Sequence, residues 1–317
     1  MFPFPLSVWS VRAVARPNII LPCILFILCV ASPLHSEEVY RLEAEGVRIW
    51  CAPRLKGAAE DLAEIYPLIR EAVEGIFGWQ MIRSPTVILV NNGAQFERMS
   101  GNPLIIAFAE PEKALIVMDW SKLKGNPSTT RAIFKHELCH LLIHQHITRV
   151  PVPRWLDEGV AQWASDGMGD IMVDQKRSLL NKAAFNGRFI PLRRLERGFP
   201  REKQRLILAY EESKSFTEHL IARFGKEGLL GVLEHMQQGS TAPRAIQHTY
   251  SVSLYKLERE WQQSVKRRVS WFTYLSYYLY EILFAFGGLV TFFAGIKVFL
   301  RKRAYMKQEM ETRFEEP

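Results

Sequence analysis

The order of apolar and polar positions divides the chain into two apolar ends and a mixed middle. In the middle, Val47-Arg48-Ile49-Trp50-Cys51-Ala52 alternates with the period of a half-buried strand. Over residues 57–77 the period lengthens. Leu62, Ile65, Leu68, Ile69, Val73 and Ile76 recur at helical spacing, which predicts a helix kinked at Pro67. Thr86-Val87-Ile88-Leu89-Val90 is a continuous apolar run bounded by Pro85 and Asn91-Asn92-Gly93, as a buried strand is. Two short apolar runs, 104–108 and 114–118, flank Glu110-Pro111-Glu112-Lys113 and predict a hairpin at one side of a sheet. An edge strand there can pair with an extended peptide through its backbone.

From residue 128 onward the pattern is helical. Ser128 or Thr129 can cap a helix running through His136 and His140 towards His144, Pro151 and Pro153 enforce a break, and Trp155 opens the next helix. Further helices are expected at 174–185, 205–224, 227–236 and 254–265. Strands followed by helices predict an α+β architecture.

The apolar ends set the domain organisation. Arg12 and Arg16 precede a short apolar run at 18–31 that closes on small residues near Ala31 and Ser36, the layout of an export signal. The run 271–300 exceeds the about 20 residues that cross a bilayer. It opens on Trp271, Tyr274, Tyr277, Tyr278 and Tyr280 and is followed by Arg301-Lys302-Arg303. Lys266, Arg267 and Arg268 on its near side weaken the charge asymmetry, so the orientation follows from segment order: a signal exports the chain and the second run stops it. The expected division is a signal peptide at 1–36, a folded domain at 37–268, a transmembrane helix at 271–300 and a cytoplasmic tail at 301–317. That makes a single-pass cell-membrane protein with its domain extracytoplasmic, periplasmic in a Gram-negative cell.

Composition narrows the partners. The 317 residues are 48% hydrophobic and carry a net charge of +8. No basic motif interleaved with aromatics accompanies that charge, so the expected partner is membrane lipid rather than nucleic acid. Cys23 and Cys29 fall in the signal, and the remaining pair, Cys51 and Cys139, makes no disulfide framework. Nothing in the sequence supports a homo-oligomer or any other assembly state.

Chemistry enters at Phe134-Lys135-His136-Glu137-Leu138-Cys139-His140, which matches H-E-x-x-H. A helix turns about 100° per residue, so His136 and His140 project from one face and can grip one metal. Zinc lowers the pKa of a bound water to about 7, and Glu137 stands where a general base would reach that water.

A catalytic zinc site needs a third protein ligand. His146 stands six residues after His140, but a return to the metal from there requires a glycine with positive φ, and that position is Ile143. In a continuing helix His146 points roughly 240° away from His140. His144 stays on the metal face but lies too far along the axis. Glu158, on the next helix, faces inward among Leu156, Val160 and Trp163, and an inward carboxylate needs a cation. Asp157 is the rival carboxylate, better suited to orienting a ligand than to being one.

With His136-Glu137-Leu138-Cys139-His140 followed by Trp155-Leu156-Asp157-Glu158-Gly159, the chain resembles the gluzincin metallopeptidases, within them the peptidase-MA-like group, with the zinc aminopeptidases as relatives. The resemblance extends to Ile190-Pro191-Leu192 and to the stretch from Ala209 to Gly225. It implies a zincin-like fold and one Zn2+ ion held by His136, His140 and Glu158. It further implies Glu137 as base, Tyr210 as the group that steadies the oxyanion, and a peptide or protein substrate. The competing expectation is a catalytically silent protein of the same fold that binds or assembles partners at the membrane. An intact Glu137 argues against it, because a purely structural site has no need of a base.

Overall fold

In the computed structural model, residues 38–123, 126–165, 178–269 and 271–313 are described. The expected signal and residues 174–177 of the helix expected at 174–185 lie outside the described residues. Five strands form one mixed sheet in the order β1-β2-β3-β5-β4: β1 (Tyr40–Ala44), β2 (Val47–Cys51), β3 (Thr86–Val90), β4 (Ala107–Glu110) and β5 (Leu115–Asp119). β2, β3 and β5 run parallel, and the two outer strands are antiparallel to their neighbours. β1, unexpected from the pattern, is a short and partly exposed edge that Gly46 turns back from β2 at φ 77°.

Helix α1 (Lys56–Phe77) covers the sheet with Leu62, Tyr66, Ile69, Val73 and Phe77. It continues through Pro67, which lies on its exposed face, where water can take the carbonyl the proline leaves unpaired. Leu68, expected on the apolar face, is 58% exposed. The short α2 (Gly93–Ser100) starts where the pattern showed only a turn, because Asn92 caps it by accepting from the Gln95 N–H. The expected hairpin forms, but its first strand starts at Ala107 rather than 104, and the turn Pro111–Lys113 closes on Ala114 at φ 49°.

Helix α3 (Pro127–His146) lies at the centre, nearly all of its last four turns buried. Its cap is Asn126, not Ser128 or Thr129. The Asn126 side chain accepts from the Thr129 N–H at 3.2 Å, and Pro127 fits the first turn because it has no N–H to satisfy. Then follow α4 (Arg154–Ala164), α5 (Leu179–Asn186), α6 (Lys203–Gln237), α7 (Ala242–Tyr250), α8 (Leu254–Arg268) and α9 (Trp271–Arg313). The helices expected at 205–224 and 227–236 are the two arms of α6, which bends at Gly225 (φ 76°, ψ 170°). Helix α7 escaped the pattern because its buried face rests on Ala242, Ala245, Ile246 and Tyr250, with small residues in half the places.

Three glutamates fasten α5 and the segment that follows it. Glu211 accepts from the Leu180 N–H at 2.6 Å, Glu212 from Ile190 at 3.0 Å, and Glu258 of α8 from Leu192 at 2.9 Å. Cys51 and Cys139 are both buried, and neither is in a disulfide. In α9 the stretch Tyr278–Arg303 is long and apolar enough to cross a membrane, and none of it is buried against the rest of the chain. The helix runs on to Arg313, so most of the expected tail is helical.

Candidate metal centre

One turn of α3 brings His136 and His140 together, with their Nε2 atoms 3.1 Å apart. Asp157 of α4 fixes the second ring: its Oδ1 accepts from His140 Nδ1 at 2.8 Å, which turns Nε2 towards His136. The other Asp157 oxygen meets His144 Nε2 at 3.2 Å and Arg154 Nη1 at 3.4 Å. His144 is thus tied to the carboxylate that orients its neighbour. Ser165 Oγ lies 3.5 Å from His136 Nδ1.

Glu158 completes the group. Its Oε1 is paired with Arg154, while its buried Oε2 has no hydrogen-bond partner and lies 3.4 Å from His136 Nε2 and 3.7 Å from His140 Nε2. A buried carboxylate oxygen without a partner is costly, and a cation among the three atoms removes the cost. Ligands at zinc bond length around a tetrahedral centre stand ~3.3 Å apart. The separations of 3.1, 3.4 and 3.7 Å bracket that edge, so the three side chains can hold one ion of zinc's size.

The charges agree with the geometry. Burial presses the Glu158 carboxyl upward, but Arg154 and the two histidines outweigh it and hold it at about 2. Burial opposes protonation of His140, yet Asp157 and Glu158 raise it to about 9. Burial pushes Glu137 above the usual carboxylate range against the pull of the histidines. The Tyr210 hydroxyl is raised, first by burial and then by Glu158, and it shares a hydrogen bond with Arg154.

These groups line one cleft of about 490 Å³, walled on one side by β4 and its turn and on the other by Arg154, Glu196, Arg197 and Tyr210. Both walls are fastened to the helices of the centre. Gln145 of α3 accepts from the Arg83 N–H at 3.0 Å, and the Arg83 guanidinium donates to the carbonyls of Glu112 and Pro111 at 2.8 and 2.6 Å. Opposite, the Arg154 N–H donates to the Glu196 carbonyl at 2.9 Å. Sequence reasoning passed over Arg154, whose signal was its place four residues before Glu158 on one helix.

His146, the rival third donor, is elsewhere. The helix carries on through Ile143, and His146 stacks on Trp79 at 4.8 Å and lies 2.8 Å from the Gln80 carbonyl, pinning that loop. The alternative that would bring it back to the two histidines is overturned.

Residues 106–267, just over half of the 317, match the model of the Peptidase MA superfamily. The chain belongs to the Peptidase MA superfamily. As a member it carries a metallopeptidase-like domain, and the matched region contains all three donors, Glu137 and Tyr210. No curated protein matches it in sequence. Among solved structures, similarity reaches a Legionella pneumophila aminopeptidase A in complex with aspartic acid, at 15% identity and a TM-score of 0.44 over 71% of this chain and 27% of that one. A mutant of the M1 zinc metallopeptidase from Deinococcus radiodurans is 14% identical with a TM-score of 0.43, covering 71% of this chain and 51% of that one. This Peptidase MA chain therefore spans between about a quarter and a half of the length of those structures.

Proposed function

We propose that the chain is a membrane-anchored, extracytoplasmic zinc metallopeptidase that hydrolyses peptide bonds. The observation that carries this reading is the buried, unpartnered Glu158 Oε2 facing two imidazole nitrogens at ligand spacing. His136, His140 and Glu158 would hold one zinc ion, with Arg154 occupying Oε1 so that the carboxylate offers a single oxygen. Zinc bound there supplies a Lewis acid for the scissile carbonyl and a water that ionises near neutral pH.

Glu137, buried beside the histidines but outside the ligand group, takes the proton of the attacking water and delivers it to the departing amine. Its raised pKa suits both transfers. Tyr210, steadied by Arg154, donates to the carbonyl oxygen as negative charge develops there. The edge strand β4 offers free backbone groups to an extended peptide. Export by residues 1–36 and a stop at α9 would put this domain outside the cytoplasm and the C-terminus inside.

Metal analysis paired with a peptide-library digest tests the reading. The expected result is one zinc per chain and cleavage that a chelator abolishes and added zinc restores. Zinc without any cleavage would mean a binding protein that has kept the fold. Asp157→Asn, which keeps the hydrogen bond to His140 but removes the charge, should weaken zinc binding about 10- to 100-fold in a chelator competition. Unchanged affinity would remove Asp157 from the site.

A further inference from the structure

We infer that the face of the domain beside the start of α9 is a docking surface for anionic phospholipid headgroups. The inference rests on α9 being the membrane anchor. Helix α8 ends in Lys266, Arg267 and Arg268, all exposed, three residues before Trp271. At about 1.5 Å per helical residue, the seven steps from Trp271 to Tyr278 span only about 10 Å, so these cations lie about a Debye length from the headgroups.

A second basic segment joins them there. Lys266 Nζ lies 5.8 Å from the centre of the Phe189 ring, which meets Trp261 of α8 edge-on at 5.4 Å. Gly187 is so close that an added Cβ would stand 3.9 Å from the same Nζ. The segment bearing Arg188, Arg193 and Arg194, all exposed, is thereby packed on the end of α8.

The charge on this face is one-sided. Residues 179–195 and 261–268 contain no Asp or Glu. Of the acids that border these stretches, Glu211, Glu212 and Glu258 turn inward and accept from backbone N–H groups, Glu260 pairs with Arg223 and Glu196 lines the cleft, and among the described residues no ion pair holds the six cations. Phe185, 52% exposed on α5, adds an aromatic ring at the same end of the segment, as interfacial surfaces have. Basic residues next to a membrane anchor are drawn to anionic lipid within a Debye length. Such docking sets the direction in which the cleft opens relative to the bilayer.

The test uses the full chain in lipid nanodiscs of phosphatidylcholine alone or with about one-third phosphatidylglycerol. An amine-acylating reagent reads Lys266 and Lys182, the latter exposed on α5 at the start of the same acid-free stretch, with the exposed Lys56 of α1 as internal reference. In anionic discs Lys182 and Lys266 should label about three-fold more slowly relative to Lys56 than in neutral discs, and high salt should abolish the difference. The double variant Arg193→Glu with Arg194→Glu should label alike in both. Equal labelling of the unaltered chain in the two discs, or a difference that survives charge reversal, overturns the proposal while leaving the anchor intact. A chain that stays out of both discs removes the anchor and the docking surface together.

Discussion

Glu137→Gln should keep a full complement of zinc and lose hydrolysis by a factor of at least about 10²–10⁴, the usual share of general acid–base catalysis. The two halves of that expectation have separate causes. Glu137 is not among the three donors that converge on one point, so its replacement leaves the ligand group whole. The amide has the size of the carboxyl and preserves the buried packing, but it accepts no proton. Burial also raises Glu137 above the ordinary carboxylate range, so its carboxylate is a stronger base than that of a surface glutamate. Zinc content by elemental analysis and cleavage of a peptide pool check the two halves independently. A variant that cleaves as fast as the parent would dispose of the proposed chemistry, and one that loses zinc would make Glu137 a ligand.

Gly159→Ala is the second large effect, and it acts on the fold before the chemistry. A Cβ at Gly159 would clash with Thr217 Oγ1 and stand 2.5 Å from the Ser213 carbonyl oxygen, both on α6. One neighbour is a stiff β-branched side chain and the other is backbone, so neither yields cheaply. The expected loss is about 3 kcal/mol or more, at the upper end of overpacking. For a domain of this size that lowers Tm by roughly 2–4 °C per kcal/mol. Helix α4 must also back away from α6, carrying Glu158 with it, so zinc affinity should fall in parallel. Thermal melts and zinc titration read the two consequences; an alanine variant with the parent's Tm would show that the two helices are not pressed together here. Adding Thr217→Ala should restore only part of the loss, because the Ser213 carbonyl remains.

That glycine also shows why so much of the centre could be read in the sequence. The histidines sit one turn apart on a single helix, and Asp157, Glu158 and Gly159 are consecutive, so local spacing already encodes most of the geometry. The meeting of the two helices came from a proline break and an inward carboxylate in need of a cation. Rejecting His146 needed only the stereochemistry of Ile143. What stayed hidden depends on partners distant in sequence. Arg154 reads as a surface cation until Glu158 and Tyr210 are seen to converge on it. The link from Gln145 through Arg83 to Pro111 and Glu112 joins three regions that no periodicity connects. The short α2 and α7 were lost for a different reason: in eight residues α2 buries only Phe96, and in nine α7 puts alanine at half of its buried positions, so neither leaves a clear stripe.

The same long-range fastenings govern what can enter. Gln145 and Arg83 lash one bank of the cleft to the helix of the histidines, and the Arg154 N–H lashes the other to the helix of Glu158. Neither bank can swing without breaking those hydrogen bonds, each of which favours the present width by about 1 kcal/mol. On the proposed reading, a slot held this way would admit a polypeptide drawn out straight and turn away one still folded, so the shape of an incoming segment would be the first criterion of selection.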